Sequence, residues 1–200
     1  YAMGPQEGMW VSADGGRAWR RLAHLAAYLP LTAVHVAQKN DLFVASQQSG
    51  ILRSADNGET WDIVSRVPGV QALFVVPETG SGWAGTADGT LLVSHDGGDT
   101  WEDVGSPSEG QEILCIVASP TYAQDHTLLM GTSAPATVKK QPCIRVWRSS
   151  NGGTTWRQIT TQVTSARWVD IAMPSGVFDK PADQAIMATG PYCLRPLRRA

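Results

Sequence analysis

Residues 54–61 read Ser-Ala-Asp-Asn-Gly-Glu-Thr-Trp, and this segment recurs without gaps at three other places in the 200-residue chain. The shared pattern is Ser-x-Asp-x-Gly-x-Thr-Trp, with Ala18 in place of threonine in the first copy and Asn151 in place of aspartate in the fourth. Four copies in register indicate a chain built from internal repeats. The residues that carry the pattern are Ser12, Asp14, Gly16 and Trp19; Ser54, Asp56, Gly58 and Trp61; Ser94, Asp96, Gly98 and Trp101; and Ser149, Asn151, Gly153 and Trp156.

Each copy predicts a tight hairpin turn. The short Asp side chain can accept hydrogen bonds from backbone N–H groups of the turn, and glycine adopts a positive φ without strain. The serine hydroxyl can cap the same loop, and the tryptophan brings about 150–250 Å² of apolar surface against the neighbouring layer. We call these turns the first, second, third and fourth corners, which are residues 12–19, 54–61, 94–101 and 149–156.

The spacing of the corners indicates four-stranded repeats. Their tryptophans, Trp19, Trp61, Trp101 and Trp156, are 42, 40 and 55 residues apart, which fits four-stranded blades, one of them with an insertion. Between the corners the chain has short β-rich runs, and each run ends at Gly, Pro, Asn or Asp. Only residues 20–29 have the composition of a helix, which Pro30 would end. The pattern therefore predicts an all-β protein.

Composition excludes several functional classes. The chain has 16 Lys+Arg against 18 Asp+Glu, so it lacks the basic surplus of a nucleic-acid binder. With 42% hydrophobic and 17% charged residues, it does not have the composition of a disordered chain. The most apolar stretch, residues 22–37, is interrupted by His24, Pro30 and His35 and is too short to predict a membrane span.

The cysteines predict structural thiols. Cys115, Cys143 and Cys193 cannot all pair within one chain, and their spacing matches no zinc or redox pattern. We interpret them as buried packing residues, with a Cys143–Cys193 bridge as the alternative. The chain starts at Tyr1 without a signal-peptide layout, which predicts either a removed leader or a piece of a longer protein.

The four corners resemble the Asp-box, also called the bacterial neuraminidase repeat, of the sialidase-like propellers, which are grouped with the WD40/YVTN/BNR-like repeats. In that superfamily the box joins the third and fourth strands of a blade on the outer rim, away from the ligand face. The resemblance covers nearly the whole chain and implies a β-propeller of four-stranded antiparallel blades with Asp-box turns. It also implies that the corner residues are structural and touch no substrate, and it favours a location outside the cytoplasm.

Register with the corners divides the single expected propeller domain, residues 1–200, into blades. Two partial blades would combine into a composite blade, giving a four-bladed ring closed by its own termini. The alternative is a section of a six- to eight-bladed propeller, completed by further chain or by another chain that pairs its open edges. The predicted blades are residues 31–69, 70–110 and 111–166, the last with an insertion at 133–143, and the partial blades are 1–30 and 167–200.

Candidate ligand residues are few. His35 and Asp170 are polar residues in otherwise apolar columns of the inferred innermost strands, so they predict either a ligand face or contacts with channel water. Lys139 and Lys140 lie in the insertion, which either binds an acidic patch on a partner or is a surface loop without a binding role. The corner carboxylates do not follow the spacing of a calcium loop, and no cofactor motif is present, so we expect no metal and no cofactor.

Two functions follow from the resemblance. The first is a non-catalytic binding or assembly scaffold for a protein or carbohydrate ligand, and the second is a glycoside hydrolase of the sialidase-like or two-propeller glycanase type. A sialidase needs an arginine cluster and a tyrosine paired with a glutamate, which Tyr1, Tyr28, Tyr122 and Tyr192 do not suggest. A glycanase needs two carboxyl groups about 5–10 Å apart. We expect the scaffold, without catalytic residues; the candidate carboxylates for catalysis outside the corners are Glu78, Asp88, Glu112, Asp125 and Asp170.

Overall fold

The chain forms short antiparallel strands. The computed structural model describes residues 1–38, 41–134, 143–163, 168–173, 186–190 and 193–194. Within these ranges the strands make three sheets of four strands and two sheets of three, each built from strands that follow one another along the chain. The predicted all-β class with four-stranded antiparallel sheets is confirmed.

The strands and short helices have the following bounds. The first sheet contains β1 (Ala2–Gly4), β2 (Gly8–Val11) and β3 (Arg20–Leu22), and a 3-10 helix (Ala23–Tyr28) follows it. The second contains β4 (Leu31–Gln38), β5 (Asp41–Ser46), β6 (Gly50–Ser54) and β7 (Asp62–Ser65). The third contains β8 (Val70–Val76), β9 (Ser81–Thr86), β10 (Leu91–Ser94) and β11 (Glu102–Asp103). The fourth contains β12 (Glu112–Ala118), β13 (Leu128–Ala134), β14 (Cys143–Ser149) and β15 (Arg157–Val163), with α1 (Tyr122–Asp125) between β12 and β13. The fifth contains β16 (Trp168–Ala172), β17 (Ile186–Gly190) and β18 (Cys193–Leu194).

The second strand of a four-stranded sheet is buried on both faces. In β5 every residue from Leu42 to Ser46 is buried, and in β9 every residue from Gly82 to Thr86 is buried. Because both faces are covered, such strands carry continuous apolar runs rather than an alternation of apolar and polar residues. This explains why the sequence shows runs of apolar residues between the corners.

Residues 20–29 form a different structure from the helix that their composition suggests. Arg20–Leu22 is strand β3, which pairs with β2 so that Leu22 lies opposite Met9. The remainder is the 3-10 helix, whose Leu25 is fully buried beside both of these residues. Strand pairing and core burial therefore override the local helix preference.

Contacts divide the chain into two units, each with its own hydrophobic core. The first unit is Tyr1–Ala84 with Val93–Glu102, and the second is Gly85–Leu92 with Asp103–Ala200. The first core contains Met9, Leu22, Leu25, Leu31, Leu42 and Val44. The second contains Leu129, Ile144, Val146, Val169 and Ile171.

Each predicted corner joins the last two strands of its sheet. The first connects β2 to β3, the second β6 to β7, the third β10 to β11 and the fourth β14 to β15. The predicted insertion, residues 133–143, begins with the last two residues of β13 and ends at the first residue of β14, and its residues 135–142 lie outside the described residues. The division into blades, the ring count and the composite blade stay predictions.

Cys143 is buried as the sequence analysis expects, and Cys115 is partly buried against the core of the second unit. Cys115 and Cys143 are free, so the alternative of a Cys143–Cys193 bridge is wrong. Cys143 is buried in β14 as a small apolar residue. Burial raises the pKa of the Cys115 thiol to about 12, which leaves it protonated and unreactive at neutral pH. The side chain of Cys193 lies outside the described residues.

Candidate functional site

The second corner is organised around one carboxylate. Oδ1 of Asp56 accepts hydrogen bonds from Ser54 Oγ at 2.8 Å and from the backbone N–H groups of Glu59 and Thr60 at 3.0 and 2.9 Å. Oδ2 accepts from Thr60 Oγ1 at 2.6 Å. These donors, the Thr60 hydroxyl first among them, lower the pKa of Asp56 from 3.8 to about 2. The ionised carboxylate therefore holds the turn through both of its oxygens.

The third corner repeats this arrangement. Oδ1 of Asp96 accepts from Ser94 Oγ at 2.8 Å and from the backbone N–H of Thr100 at 2.9 Å, while Oδ2 accepts from Thr100 Oγ1. The Thr100 hydroxyl is again the largest cause of a pKa lowered to about 2. In both corners the tryptophan Nε1 donates to the carbonyl oxygen of the corner glycine at 3.0 Å.

The corner glycines receive a buried side chain from the preceding sheet. Gly58 and Gly98 have φ values of +88° and +91°, a backbone conformation that side-chain-bearing residues rarely adopt. A Cβ on Gly58 would lie 2.6 Å from Leu22, and one on Gly98 would lie 2.5 Å from the Phe43 ring. Glycine is therefore required here for both the turn and the packing.

Ion pairs join each of these corners to the preceding sheet. Arg20 in β3 pairs with Glu59 in the second corner at 2.8 Å. Arg53 in β6 pairs with Asp99 in the third corner and with Asp41 of its own sheet. Its pKa is raised, first by the hydrogen bond to Asp41. Because Arg20 and Glu59 are both more than half exposed, their pair contributes less than the partly buried Arg53 pair.

The fourth corner uses an amide in place of the carboxylate. Asn151 Oδ1 accepts from Ser149 Oγ at 2.9 Å and from the backbone N–H of Thr155 at 3.0 Å, while its Nδ2 donates to Thr155 Oγ1 at 2.9 Å. The threonine hydroxyl is therefore the acceptor in the fourth corner, whereas it is the donor in the second corner. The Nε1 of Trp156 is buried without a partner among the described residues.

The first corner lacks the threonine contact. Oδ1 of Asp14 accepts from Ser12 Oγ at 2.8 Å and from the backbone N–H groups of Arg17 and Ala18 at 3.0 and 2.9 Å. Ala18 has no hydroxyl, so no described residue donates a hydrogen bond to Oδ2. The pKa of Asp14 is still lowered, chiefly by the Ala18 backbone N–H. One carboxylate oxygen therefore stays open to solvent.

Trp19 differs from the other corner tryptophans in its exposure. It is 48% exposed, whereas Trp61, Trp101 and Trp156 are half-buried. Its Nε1 donates to the carbonyl oxygen of Gly16 at 3.0 Å, which fixes the indole against its own turn. The expectation that the tryptophan packs on a neighbouring layer is therefore met least well at this corner.

A groove of about 670 Å³ opens beside the first corner. Asn57 of the second corner also lines it, and its Oδ1 accepts a hydrogen bond from the Tyr1 hydroxyl at 3.3 Å. Sequence reasoning missed this groove, although the replacement of threonine by Ala18 was the one available signal. Its lining residues are Tyr1, Val11, Ser12, Ala13, Asp14, Ala18, Trp19, Arg20 and Asn57.

His35 makes its contacts with other residues of the first unit. Its Nε2 is 2.9 Å from the Val75 carbonyl oxygen, and its ring centroid is 4.7 Å from that of Phe74. Burial lowers the pKa of His35, so the imidazole is neutral at neutral pH and can donate to that carbonyl. This contact ties β4 to β8, which favours a structural role over a ligand role.

The other candidate ligand residues are Asp170, Lys139 and Lys140. Asp170 is exposed in the second unit, and its Oδ1 accepts a hydrogen bond from the backbone N–H of Ile171 at 2.9 Å. Lys139 and Lys140 lie outside the described residues. In the described part of the chain, no group of three or more His, Cys, Asp or Glu side chains is arranged to hold a metal ion.

The carboxylates outside the corners have different surroundings. Asp88 accepts hydrogen bonds from Thr86 and Thr90, and Asp125 accepts from Ser119 Oγ at 2.8 Å and from the Thr127 backbone. Glu78 is exposed in a turn. Glu112 is half-buried, and burial raises its pKa. Among the carboxyl groups of the described residues, Glu112 is the one whose pKa is raised by burial.

These sheets and corners define the class of the protein, which is a β-propeller. The chain belongs to the DUF6242 beta propeller domain family, whose family model matches residues 1–192. None of the helices in the described ranges has the length and hydrophobicity needed to cross a bilayer.

The comparisons with individual proteins cover parts of larger chains. A probable oligoxyloglucan-reducing end-specific xyloglucanase of Neosartorya fischeri is 28% identical over 102 residues, covering 46% of this chain and 12% of that protein. A GH74 xyloglucanase from Xanthomonas campestris has a TM-score of 0.58 at 18% identity, over 78% of this chain and 27% of that chain. An ancestral GH74 enzyme has a TM-score of 0.55 at 14% identity, over 85% of this chain and 31% of that chain. At these identities the two structures show a shared fold alone, and this chain spans less than a third of each relative.

Acid is expected to destabilise the corners between about pH 4 and pH 2. The pKa of Asp56 and of Asp96 is about 2 in the folded chain against an ordinary value of 3.8, so the unfolded chain takes up protons first as the pH falls. The stabilisation by the two carboxylates is complete at pH values above their pKa in the unfolded chain. It is lost as the pH falls through their pKa in the folded chain. Urea midpoints at about pH 5, 3 and 2 measure the loss.

The control for this prediction is the double variant Asp56→Asn, Asp96→Asn. Asparagine keeps an Oδ1 acceptor, as Asn151 does in the fourth corner, but it does not titrate. The variant should have a flatter pH dependence than the parent chain. An equally steep loss of stability in the variant would contradict the assignment of the acid transition to these two carboxylates.

Proposed function

We propose that this propeller domain is a non-catalytic binding or assembly scaffold for a protein or carbohydrate ligand, and that its four corners are Asp-boxes with a structural role. The observation that carries the proposal is that the carboxylates of Asp56 and Asp96 are engaged by donors of their own turns through both oxygens. A carboxylate held ionised down to about pH 2 is unsuited to proton transfer near neutral pH. A second chain that completes the propeller is one such protein ligand.

The carboxylates outside the corners also support a scaffold. A hydrolase of this kind works with two carboxyl groups whose pKa values are displaced in opposite directions. Asp88 and Asp125 are engaged by neighbouring hydroxyl and backbone donors, as the corner carboxylates are. Burial is the cause of the raised pKa of Glu112, and no charged neighbour among the described residues contributes to it. A paired second carboxylate would raise that pKa further.

The alternative function is glycoside hydrolysis of the sialidase-like or two-propeller glycanase type. Two observations favour it as the second candidate. Burial raises the pKa of Glu112, which is the direction that a general acid requires, and the relatives reported above include xyloglucanases. Since those relatives are much longer than this chain, their activity is transferred here only as a hypothesis.

An assay of reducing-end release distinguishes the two functions. Xyloglucan, mixed-linkage β-glucan and sialyllactose are incubated with the parent chain, with Glu112→Gln, and with Glu78→Gln as a matched control at an exposed turn. The scaffold proposal predicts that all three proteins release reducing ends no faster than a protein-free blank does. Hydrolysis that Glu112→Gln abolishes and Glu78→Gln retains would overturn the proposal and establish the alternative.

A further inference from the structure

The fourth corner has an asparagine–glycine pair at the position where the other three corners begin with aspartate. The chain contains three asparagines, and two of them, Asn57 and Asn151, precede a glycine. Such a pair is chemically labile, because glycine has no Cβ to keep its backbone nitrogen away from the carboxamide carbon of the asparagine. Deamidation of Asn151 would produce the aspartate of the repeat pattern. The fourth corner is therefore a candidate modification site.

Deamidation proceeds through a succinimide ring. The Gly152 nitrogen loses its proton and bonds to Cγ of Asn151, the Cγ–Nδ2 bond breaks, and Nδ2 leaves with that proton as ammonia. Water then opens the ring at one of its two carbonyl carbons. Opening at Cγ gives an ordinary main chain with an aspartate side chain, whereas opening at the backbone carbonyl carbon gives isoaspartate, whose main chain passes through Cγ. Water is the only other reactant.

The corner polarises the carboxamide of Asn151. Its Oδ1 accepts hydrogen bonds from Ser149 Oγ at 2.9 Å and from the backbone N–H of Thr155 at 3.0 Å. These donors would stabilise the negative charge that develops on Oδ1 during the attack, as the donors of an oxyanion hole do. The leaving Nδ2 lies 2.9 Å from Thr155 Oγ1, a hydroxyl that can also donate a proton. The electrophile is therefore prepared for the reaction.

The nucleophile is held by another part of the same sheet. The Gly152 N–H donates to the carbonyl oxygen of His126, in the connection between β12 and β13, at 3.0 Å. The nitrogen has to give up this bond before it can turn toward Cγ. The third corner has the equivalent bond, from the Gly97 N–H to the Gly80 carbonyl oxygen at 2.8 Å. The contact therefore belongs to the repeat, and in the fourth corner it restrains a labile pair.

Asp125 holds the connection that carries His126. Its Oδ2 accepts hydrogen bonds from Ser119 Oγ at 2.8 Å and from Thr121 Oγ1 at 3.0 Å. Its Oδ1 accepts from the backbone N–H of Thr127 at 2.8 Å. His126 has φ +47°, a left-handed conformation that costs free energy for a residue with a side chain. Loss of the Asp125 carboxylate would therefore let the His126 carbonyl group move away from the fourth corner.

We propose that Asn151 is a site of spontaneous deamidation, and that the hydrogen bond from Gly152 to the His126 carbonyl oxygen controls the rate of the reaction. This inference goes beyond the proposed function and does not depend on the ligand of the domain. In the aspartate product, Thr155 Oγ1 can donate to the new carboxylate as Thr60 Oγ1 does to Asp56 in the second corner. The isoaspartate product lengthens the main chain of the turn and disrupts it.

Peptide mass spectrometry after incubation in mildly alkaline buffer tests the proposal. Deamidation of Asn151 should be at least about tenfold slower in the folded parent chain than in concentrated urea, because only local opening releases the Gly152 N–H in the folded chain. Folded Asp125→Ala should deamidate at Asn151 at least about fivefold faster than the folded parent. Equal rates in the folded parent and in urea would overturn the proposal, and so would an unchanged rate in Asp125→Ala.

The chain offers two controls. Asn57 also precedes a glycine, but the Gly58 N–H donates to Ser54 Oγ of its own corner at 2.8 Å, so Asp125→Ala should leave the rate at Asn57 unchanged. Asp88→Ala removes a carboxylate that accepts hydrogen bonds in a different turn of the second unit, and it should change neither rate.

Faster deamidation at both asparagines would show that Asp125→Ala unfolds as a whole. Hydrogen exchange of the Gly152 amide in the folded parent chain then decides the question. Exchange that is at least about tenfold slower than for the same amide in urea supports the proposal, because it shows that the N–H is held. Exchange of this amide at the unfolded rate would overturn it.

Discussion

Replacing Phe43 with alanine is expected to lower the free energy of unfolding by about 3–5 kcal/mol, the usual cost of removing a fully buried phenylalanine. Phe43 is 0% exposed in β5. Its ring fills the space over Gly98 in the third corner, and the Arg53 guanidinium lies 5.4 Å from its centroid. The substitution therefore removes core packing and the apolar contact between β5 and the third corner in one step.

Chemical denaturation of the parent chain, Phe43→Ala and Phe43→Leu measures this effect. Leucine keeps most of the apolar contact, so its loss should be smaller, about 1–2 kcal/mol. Gly98→Ala should cost less in the Phe43→Ala background than in the parent chain, because its Cβ would otherwise meet the ring. Strictly additive changes in the free energy of unfolding would show that the Phe43 ring does not pack against Gly98.

Replacing Gly50 with alanine is expected to cost about 3 kcal/mol or more, through two independent effects. Gly50 has φ +87°, where a Cβ is strained. A Cβ there would also overlap the backbone carbonyl oxygen of Ser65 in β7, which cannot move without breaking the β6–β7 pairing. The measurement is again the denaturation midpoint and slope.

Gly97→Ala is the matched control for Gly50→Ala. Gly97 has a similar φ of +78°, but no atom beyond its own residue and its two chain neighbours lies within 4 Å of the position that its Cβ would take. It should therefore show the backbone cost alone, about 1–2 kcal/mol. Equal losses for the two variants would indicate that the clash with Ser65 is relieved by relaxation.

Much of the fold was predictable because its determinants are local. An aspartate that accepts hydrogen bonds within four residues, such as Asp56, works by the same contacts wherever the turn occurs. Four such turns at blade spacing limit the chain to short strands that pair in chain order, as all five sheets of the described residues do. Residues 20–22 departed from their local preference because pairing with β2 is a contact that composition does not report.

The candidate site was less predictable because it depends on distant residues. His35 looked like a ligand residue in its column, and only the approach of β8 assigns its Nε2 to the Val75 carbonyl oxygen. The groove at the first corner needs Asn57, 56 residues from Tyr1 in sequence. The replacement of threonine by Ala18 was visible in the sequence, but its consequence for Asp14 required the position of every other donor.

The amino-acid sequence alone determined where the chain turns and that it is a repeated all-β structure, since glycine, aspartate and tryptophan act through contacts within one turn. Tertiary structure decided which corner glycines are covered by a side chain from the preceding sheet. Burial of Gly58 and Gly98 beneath Leu22 and Phe43 depends on how one sheet packs on the next. Tertiary structure also decided that Oδ2 of Asp14 receives no hydrogen bond from the described residues, because that depends on the position of every possible donor.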